Sequence, residues 1–284
     1  MDTKTHSFIL ETYAKQIKAL NDLISECKEL LPNNDLSFIR FGGGTALAIY
    51  HFQHRKSFDI DLFVTDPQIL NYLSPKHWLE DSRLFNTAKY IDLANHIRLL
   101  TKENIKIDIL VSQDFIGHAI IDDSHTFFHE SIYVESLEDI LAKKIVYRKD
   151  QNKSRDIIDL SVALYHDASI FEKLLNSEAV TLQDLRDLHD ALVRLDTQKY
   201  LDEIDLVEPI KFYVNVAKNA PKSIKKALEN ILNTSTSTIM KYSKDYDLAE
   251  KAAHKQERIY TLDEVLDELN LSKTIDKKDA YKDQ

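Results

Sequence analysis

The sequence predicts an α+β protein: a mixed sheet with interleaved helices over residues 1–150, then a helical bundle with a polar tail over residues 151–284. Three observations predict it. Apolar runs of strand length, such as Ser57 to Val64 and Ile105 to Val111, are confined to the chain before residue 135. Beyond residue 154 the apolar residues recur at helical spacing instead. Three of the four glycines are consecutive, Gly42-Gly43-Gly44, which marks one demanding turn rather than general loop punctuation.

The elements follow in order. Ile9, Leu10, Tyr13, Ile17, Leu20, Ile24 and Leu31 predict a helix over Phe8 to Leu31, ended by Pro32-Asn33-Asn34-Asp35. Leu36 to Phe41 reads as a strand into the glycine turn, and Thr45 to Phe52 as a helix leaving it. A strand carrying Asp59 and Asp61 then ends at Thr65-Asp66-Pro67, and Pro67 to Glu80 reads as helical. Strands are expected at Ala88 to Ile91, Ile97 to Thr101 and Ile105 to Val111. Ser136 followed by Glu138 and Asp139 is a helix start, opening a helix through Lys143, Lys144 and Arg148. After a polar break at Lys149 to Ser154, helical periodicity covers Arg155 to His166, Phe171 to Asn176, Leu182 to Leu195 and Ile210 to Val216. It continues at Ile224 to Leu232, Ile239 to Ala253 and Leu262 to Leu269, with no strand expected beyond residue 135.

Composition narrows the function. A formal charge of −10 weighs against whole-surface binding of nucleic acid, while leaving room for a local basic patch or a metal-bridged phosphate. The single cysteine, Cys27, has no partner for an intramolecular disulfide and fits a reducing cytoplasm as small apolar filler of the first helix. The polar Met1 to Ser7 start carries no secretory signal, and no apolar run approaches the ~20 residues of a membrane span, so a cytoplasmic location is expected.

The chemistry concentrates between residues 42 and 108. On a strand, residues i and i+2 share a face, so Asp59 and Asp61 lie side by side, and two adjacent carboxylates call for a cation such as Mg²⁺. The competing reading is an edge strand with its acids in solvent. Gly43, Gly44 and Thr45 suit a phosphate, because backbone without Cβ approaches it closely and a helix N-terminus follows; a plain strand-to-helix turn is the alternative. Asp108 interrupts another apolar strand and is a candidate third acid; three acids can hold two Mg²⁺ about 3.5–4 Å apart. His125 and His129, with Asp122 and Asp123 upstream, form a rival zinc constellation, but it lacks the glutamate of His-Glu-x-x-His, and Phe127 and Phe128 between the histidines indicate core packing.

Gly43-Gly44-Thr45-Ala46-Leu47 followed by Arg55 to Phe63 resembles the nucleotidyltransferase family of AbiEii/AbiGii-type toxins, the toxin partners of abortive-infection and type IV toxin–antitoxin systems. Ile107-Asp108-Ile109, Leu141 to Ile145 and Arg155 to Leu160 match further blocks in the same order, so the likeness covers about residues 38 to 165. It implies a polymerase-β-like nucleotidyltransferase domain, with NTP as substrate and two Mg²⁺ on Asp59, Asp61 and Asp108. It implies triphosphate contacts from Gly43, Gly44, Thr45 and Lys144, with Lys143 pointing elsewhere on the helix. Ser57 and Arg55 also match, Arg55 as either a nucleotide contact or a surface arginine. Arg155, Asp156 and Asp159 would support the site: Asp159 by pinning its helix to the sheet through ion pairs, Asp156 in a role left open. The resemblance implies an RNA acceptor, a tRNA 3′ end, and a separately encoded antitoxin as partner. A small-molecule acceptor of aminoglycoside type and a non-catalytic binding module are the alternatives.

One feature lies outside that likeness. Lys211 to Lys255 carries nine lysines against four acids, with Tyr213, Tyr242 and Tyr246 interleaved. It reads as an RNA- or partner-facing surface, or as solvated lysines of amphipathic helices.

Overall fold

Ile9, Tyr13, Ile17, Leu20, Leu23 and Cys27 fall on one face of helix α1 (Thr3–Cys27) and are all buried. The computed structural model describes residues 3–255, with side chains to residue 234. Short 3₁₀ turns follow α1 and lead into strand β1 (Arg40–Gly42), helix α2 (Gly43–Ala46) and its π-helical continuation Leu47–Phe52. Then come β2 (Ile60–Val64), α3 (Gln68–Leu73), β3 (Ile91–Leu93), β4 (His96–Leu100), β5 (Lys106–Val111), β6 (Ala119–Asp122) and β7 (Ile132–Glu135). Helices α4 (Leu137–Arg148), α5 (Ser154–His166), α6 (Ile170–Asn176), α7 (Leu182–Val193), α8 (Thr197–Val207) and α9 (Val214–Lys255) complete the described chain.

The seven strands form one mixed sheet in the order β3-β4-β5-β2-β1-β7-β6, so the α+β class is as the sequence predicts. The pairs β1–β7 and β2–β5 are parallel; the others are antiparallel. Register decides what each face carries. Phe41, Leu62 and Ile109 are partners across three strands and, with Leu20, Leu23 and Cys27 of α1, line an apolar interior. The next row, Gly42, Asp61 and Asp108, points to the opposite face. There the glycine turn lies against Asp61, and Lys143 of α4 sits 4.8 Å from the Phe63 ring centroid.

Several boundaries differ from the sequence reading. Leu36–Phe38 is a 3₁₀ turn, because Asp35 accepts from the Ser37 amide and caps it; only Arg40–Gly42 is strand. The helix from Pro67 ends at Leu73, since Ser74 precedes Pro75 and takes an extended ψ of 125°. Asp59 lies one residue before β2. Strands β6 and β7 and helix α8 are additional to the sequence reading, although Asp196 caps α8 and Tyr200 and Ile204 anchor it at i, i+4. Among the described residues no strand follows residue 135. Helical backbone runs unbroken from Val214 to Lys255, and the expected helix at Leu262 to Leu269 lies outside the described residues, as does the polar tail.

By backbone contacts the chain divides into two units, Met1–Asn230 and Ile231–Gln284. No helix among the described residues is long and apolar enough to cross a membrane.

On the acid-bearing face, Lys143 donates to both Glu135 and Asp139, and all three side chains are buried. Burial pushes the Glu135 carboxyl up to about 8, with Lys143 opposing and Asp139 adding to the rise. A raised folded value means the stability it contributes is complete below its ordinary 4.5 and lost as pH climbs through 8. Replacing Glu135 with Gln should therefore flatten the decline in urea-unfolding free energy between about pH 5 and 9. An undiminished slope in that variant would contradict the assignment.

Candidate active site

The glycine turn is shaped by what it touches. Gly43 has φ +67°, the left-handed region, and a Cβ there would strike the Asp61 carboxylate. At Gly44 a Cβ would meet the Arg55 guanidinium and approach Ser57 Oγ to 3.3 Å. Thr45 is fully buried; its hydroxyl donates to Ser57 Oγ at 2.8 Å or to the Asp59 carbonyl. Its hydroxyl therefore holds the 57–59 segment rather than facing the cleft. From the other side, Tyr13 donates to the Arg55 carbonyl at 2.6 Å, and Gln16 to the Ser57 carbonyl at 3.2 Å.

Asp61 on β2 and Asp108 on β5 stand on neighbouring strands, Asp59 just precedes β2, and Lys106 faces both Asp59 and Asp108. Asp61 and Asp108 are register partners on β2 and β5. Burial raises the Asp61 carboxyl above its ordinary value, with Lys144 and Arg148 opposing and Asp108 contributing to the rise. Asp108 is buried and accepts from Arg98 Nε at 2.6 Å and His96 Nε2 at 2.8 Å. Burial works against its charge, but these bonds outweigh that and hold its pKa below the ordinary carboxylate value. Asp59 pairs with Lys106 Nζ at 2.6 Å, and the same ammonium lies 3.7 Å from Asp108. Among the described residues no three His, Cys, Asp or Glu side chains converge in a ready-made metal cluster.

Behind the acids lies a buried ionic network. Asp159, with no solvent exposure, accepts Arg55 Nε at 2.6 Å and Arg55 Nη2 at 2.9 Å. Lys144 Nζ lies 2.8 Å from Asp159 and 2.6 Å from Asp156, and Arg148 Nε stands 3.4 Å from Asp156. His54 shares Asp159 at 2.6 Å, and burial lowers its pKa, which leaves it neutral at pH 7. Burial penalises the charge of Asp159, yet Arg55 and Lys144 hold its carboxyl well below the ordinary value. Arg55 and Lys144 are thus buried ion-pair members; the reading of Arg55 as a surface arginine is corrected, because Asp159 of α5 lies beneath it. Lys143 points away from this network, to Glu135 and Asp139.

Above this network lies a cleft lined by Gly44, Asp59, Asp61, Lys144, Arg148 and Arg155, among others. Sequence reading missed two contributors, Arg148 and Leu206 at the end of α8; Arg155, expected in support, lines the cleft with Arg148 as a cationic wall. The segment after α8 is tied to the 54–56 stretch by Lys56 N to Glu208 O at 3.2 Å and Ile210 N to His54 O at 2.7 Å. That brings Leu206, 77% exposed, to the cleft that Phe58, 55% exposed, also borders. The signal for Arg148 was readable as i+4 from Lys144 on one helix. At the rival zinc position, Phe127 and Phe128 are buried, and Asp122 is engaged by Tyr50 and Ser124.

A family profile described as nucleotidyl transferase AbiEii toxin, type IV TA system, matches residues 31–230. No curated protein matches the chain. Among solved structures, JHP933 from Helicobacter pylori is similar over 86% of this chain and 98% of its own, at 15% identity and TM-score 0.46. MenT4, a nucleotidyltransferase toxin from Mycobacterium tuberculosis, is similar over 78% of this chain and 88% of its own, at 12% identity and TM-score 0.38.

Truncating Asp159 to Ala leaves Arg55 and Lys144 buried with one carboxylate fewer. The expected cost at pH 7 is about 3–5 kcal/mol in urea unfolding. Asp159 and Asp156 have lowered folded values, so their contribution is present above the ordinary carboxyl range and lost as pH falls through them. The deficit of the variant should shrink below about pH 4; a deficit that grows in acid would refute the network's role.

Proposed function

We propose, because this chain belongs to the AbiEii family of nucleotidyltransferase toxins of type IV toxin–antitoxin systems, that it transfers a nucleoside monophosphate from an NTP to the 3′ hydroxyl of an RNA, a tRNA end. The acceptor oxygen bonds to the α-phosphorus, the bond to the β-phosphate breaks, and pyrophosphate leaves as the hydroxyl proton passes to solvent. The observation that carries this reading is one cleft joining Gly44, the acids Asp59 and Asp61, and the cations Lys144, Arg148 and Arg155. Cations opposite carboxylates suit a triphosphate whose reacting end must meet a metal.

The residues fit a hard divalent ion. Asp59, Asp61 and Asp108 offer oxygen donors only, and the Lys106 ammonium already stands between Asp59 and Asp108 where a bridging cation is wanted. Asp59 and Asp61 would hold Mg²⁺ together with the triphosphate, and Asp108 would complete the acceptor side; a bound ion supplies charge neutralisation and a more acidic hydroxyl. Lys144, Arg148 and Arg155 orient the phosphates, Gly44 gives them close backbone approach, and Phe58 and Leu206 offer apolar surface for the base. Arg55 and Asp159 act through Lys144 and Gly44 by holding them in place. A cognate antitoxin is the protein partner that family membership implies, and the cytoplasm is where its NTP and tRNA are found.

Incubating the protein with each α-labelled NTP and total RNA should place label on RNA; label on a small molecule instead would overturn the acceptor. Asp61→Ala should abolish transfer with an unchanged circular dichroism spectrum. Arg148→Ala and Arg155→Ala should each raise the NTP KM about tenfold, as expected for one lost charge-assisted phosphate contact. Full transfer by Asp61→Ala would sink the metal assignment.

A further inference from the structure

The sheet half that carries Asp108 has two unlike faces. Ile97, Leu99, Ile107 and Ile109 are buried on one of them. On the other, Ile91, Arg98, Asp108 and Asp61 form a single row across β3, β4, β5 and β2 by register. Away from the acids this face stays open: Leu93 is 57% and Tyr90 41% exposed, and the Arg98 side chain 40%. A shallow groove there is lined by Lys89, Tyr90, Ile91, Arg98, Leu100 and Lys106.

Two of those residues tie the groove to the reacting centre. Arg98 bonds to Asp108, and Lys106 to Asp59, which itself lines the cleft of Gly44 and Lys144. The cleft side of the acids is walled by Lys144, Arg148, Arg155 and the tied-down Leu206 segment. An acceptor hydroxyl approaching from the other side passes Arg98 and Lys106, which line the groove and bond to Asp108 and Asp59.

We infer that the open face of β3–β5 is the acceptor platform, taking the 3′-terminal nucleotides of a single-stranded RNA. This rests on the reading of an RNA acceptor given above. Lys89, Arg98 and Lys106 are three cations lining one groove with an exposed aromatic ring, in a chain whose net charge is −10. That is the pairing single-stranded nucleic acid uses: cations along the backbone and a ring face for a base. The terminal nucleotide lies beside Arg98 with its hydroxyl toward Asp108, and Tyr90 and Lys89 hold the nucleotides before it.

The test is direct binding. Fluorescence anisotropy of a 5′-fluorescein single-stranded RNA with a free 3′ hydroxyl is measured on the full chain, with NTP affinity followed by calorimetry. The double variant Tyr90→Ala, Lys89→Glu changes exposed side chains only, so its fold is secure and is verified by its melting curve. It should weaken RNA binding about tenfold or more while leaving NTP affinity unchanged. Lys218→Glu, Lys222→Glu on the exposed side of α9 should leave RNA binding as it is. RNA affinity retained in the Tyr90 variant overturns the platform and leaves that face to a protein partner, while labelling of RNA by the wild type keeps the acceptor reading alive. A wild-type protein that neither binds nor labels RNA overturns both.

Discussion

A carboxylate shut off from water is tolerable only among cations, and Asp159 has Arg55 on one side and Lys144 on the other. Those two pairs join parts of the chain that lie far apart in sequence. Arg55 precedes the acid-bearing strand and presses on Gly44; Lys144 belongs to α4; Asp159 belongs to α5. The phosphate turn, the lysine and the helix beneath them are therefore held in one arrangement by a single carboxyl group. Asp156 extends the same logic to Arg148, so the cationic wall of the cleft has its counter-charges below and its free side above.

The acids in front obey the same constraint in a different way. Asp61 is hemmed in by the Gly43 backbone and its carboxyl is raised by burial, whereas Asp108 is held ionised by Arg98 and His96. Adjacent register positions thus carry carboxyl groups of opposite tendency, one easier to protonate and one harder. Asp59 and Asp108 take their counter-charges from β4 and β5, and Lys144 and Arg148 take theirs from α5.

Much of the site was legible because it is local. Asp59 and Asp61 stand out as acids inside an apolar run, and three consecutive glycines announce a turn of unusual geometry. Asp108 needed the guess that its strand lies beside β2, which the parallel register confirms. What stayed hidden is whatever depends on pairing across strands: Arg98 and His96 reach Asp108 only because β4 runs antiparallel to β5 in one register, and a single sequence does not state registers. Thr45 could be placed near phosphate by proximity, yet its hydroxyl turns inward to the 57–59 segment. Among the elements, the long helices were plain from their period, while α3 fell short at Pro75 and the short β6 and β7 carried too little pattern to stand out.

Lys106 and Arg98 have one more consequence. They supply from within the sheet the positive charge that Asp59 and Asp108 require, so the acids reach their folded positions at no electrostatic debt to any ion in solution. The counter-charge of these two acids is thus written into the same sheet that carries them, two strands apart at most.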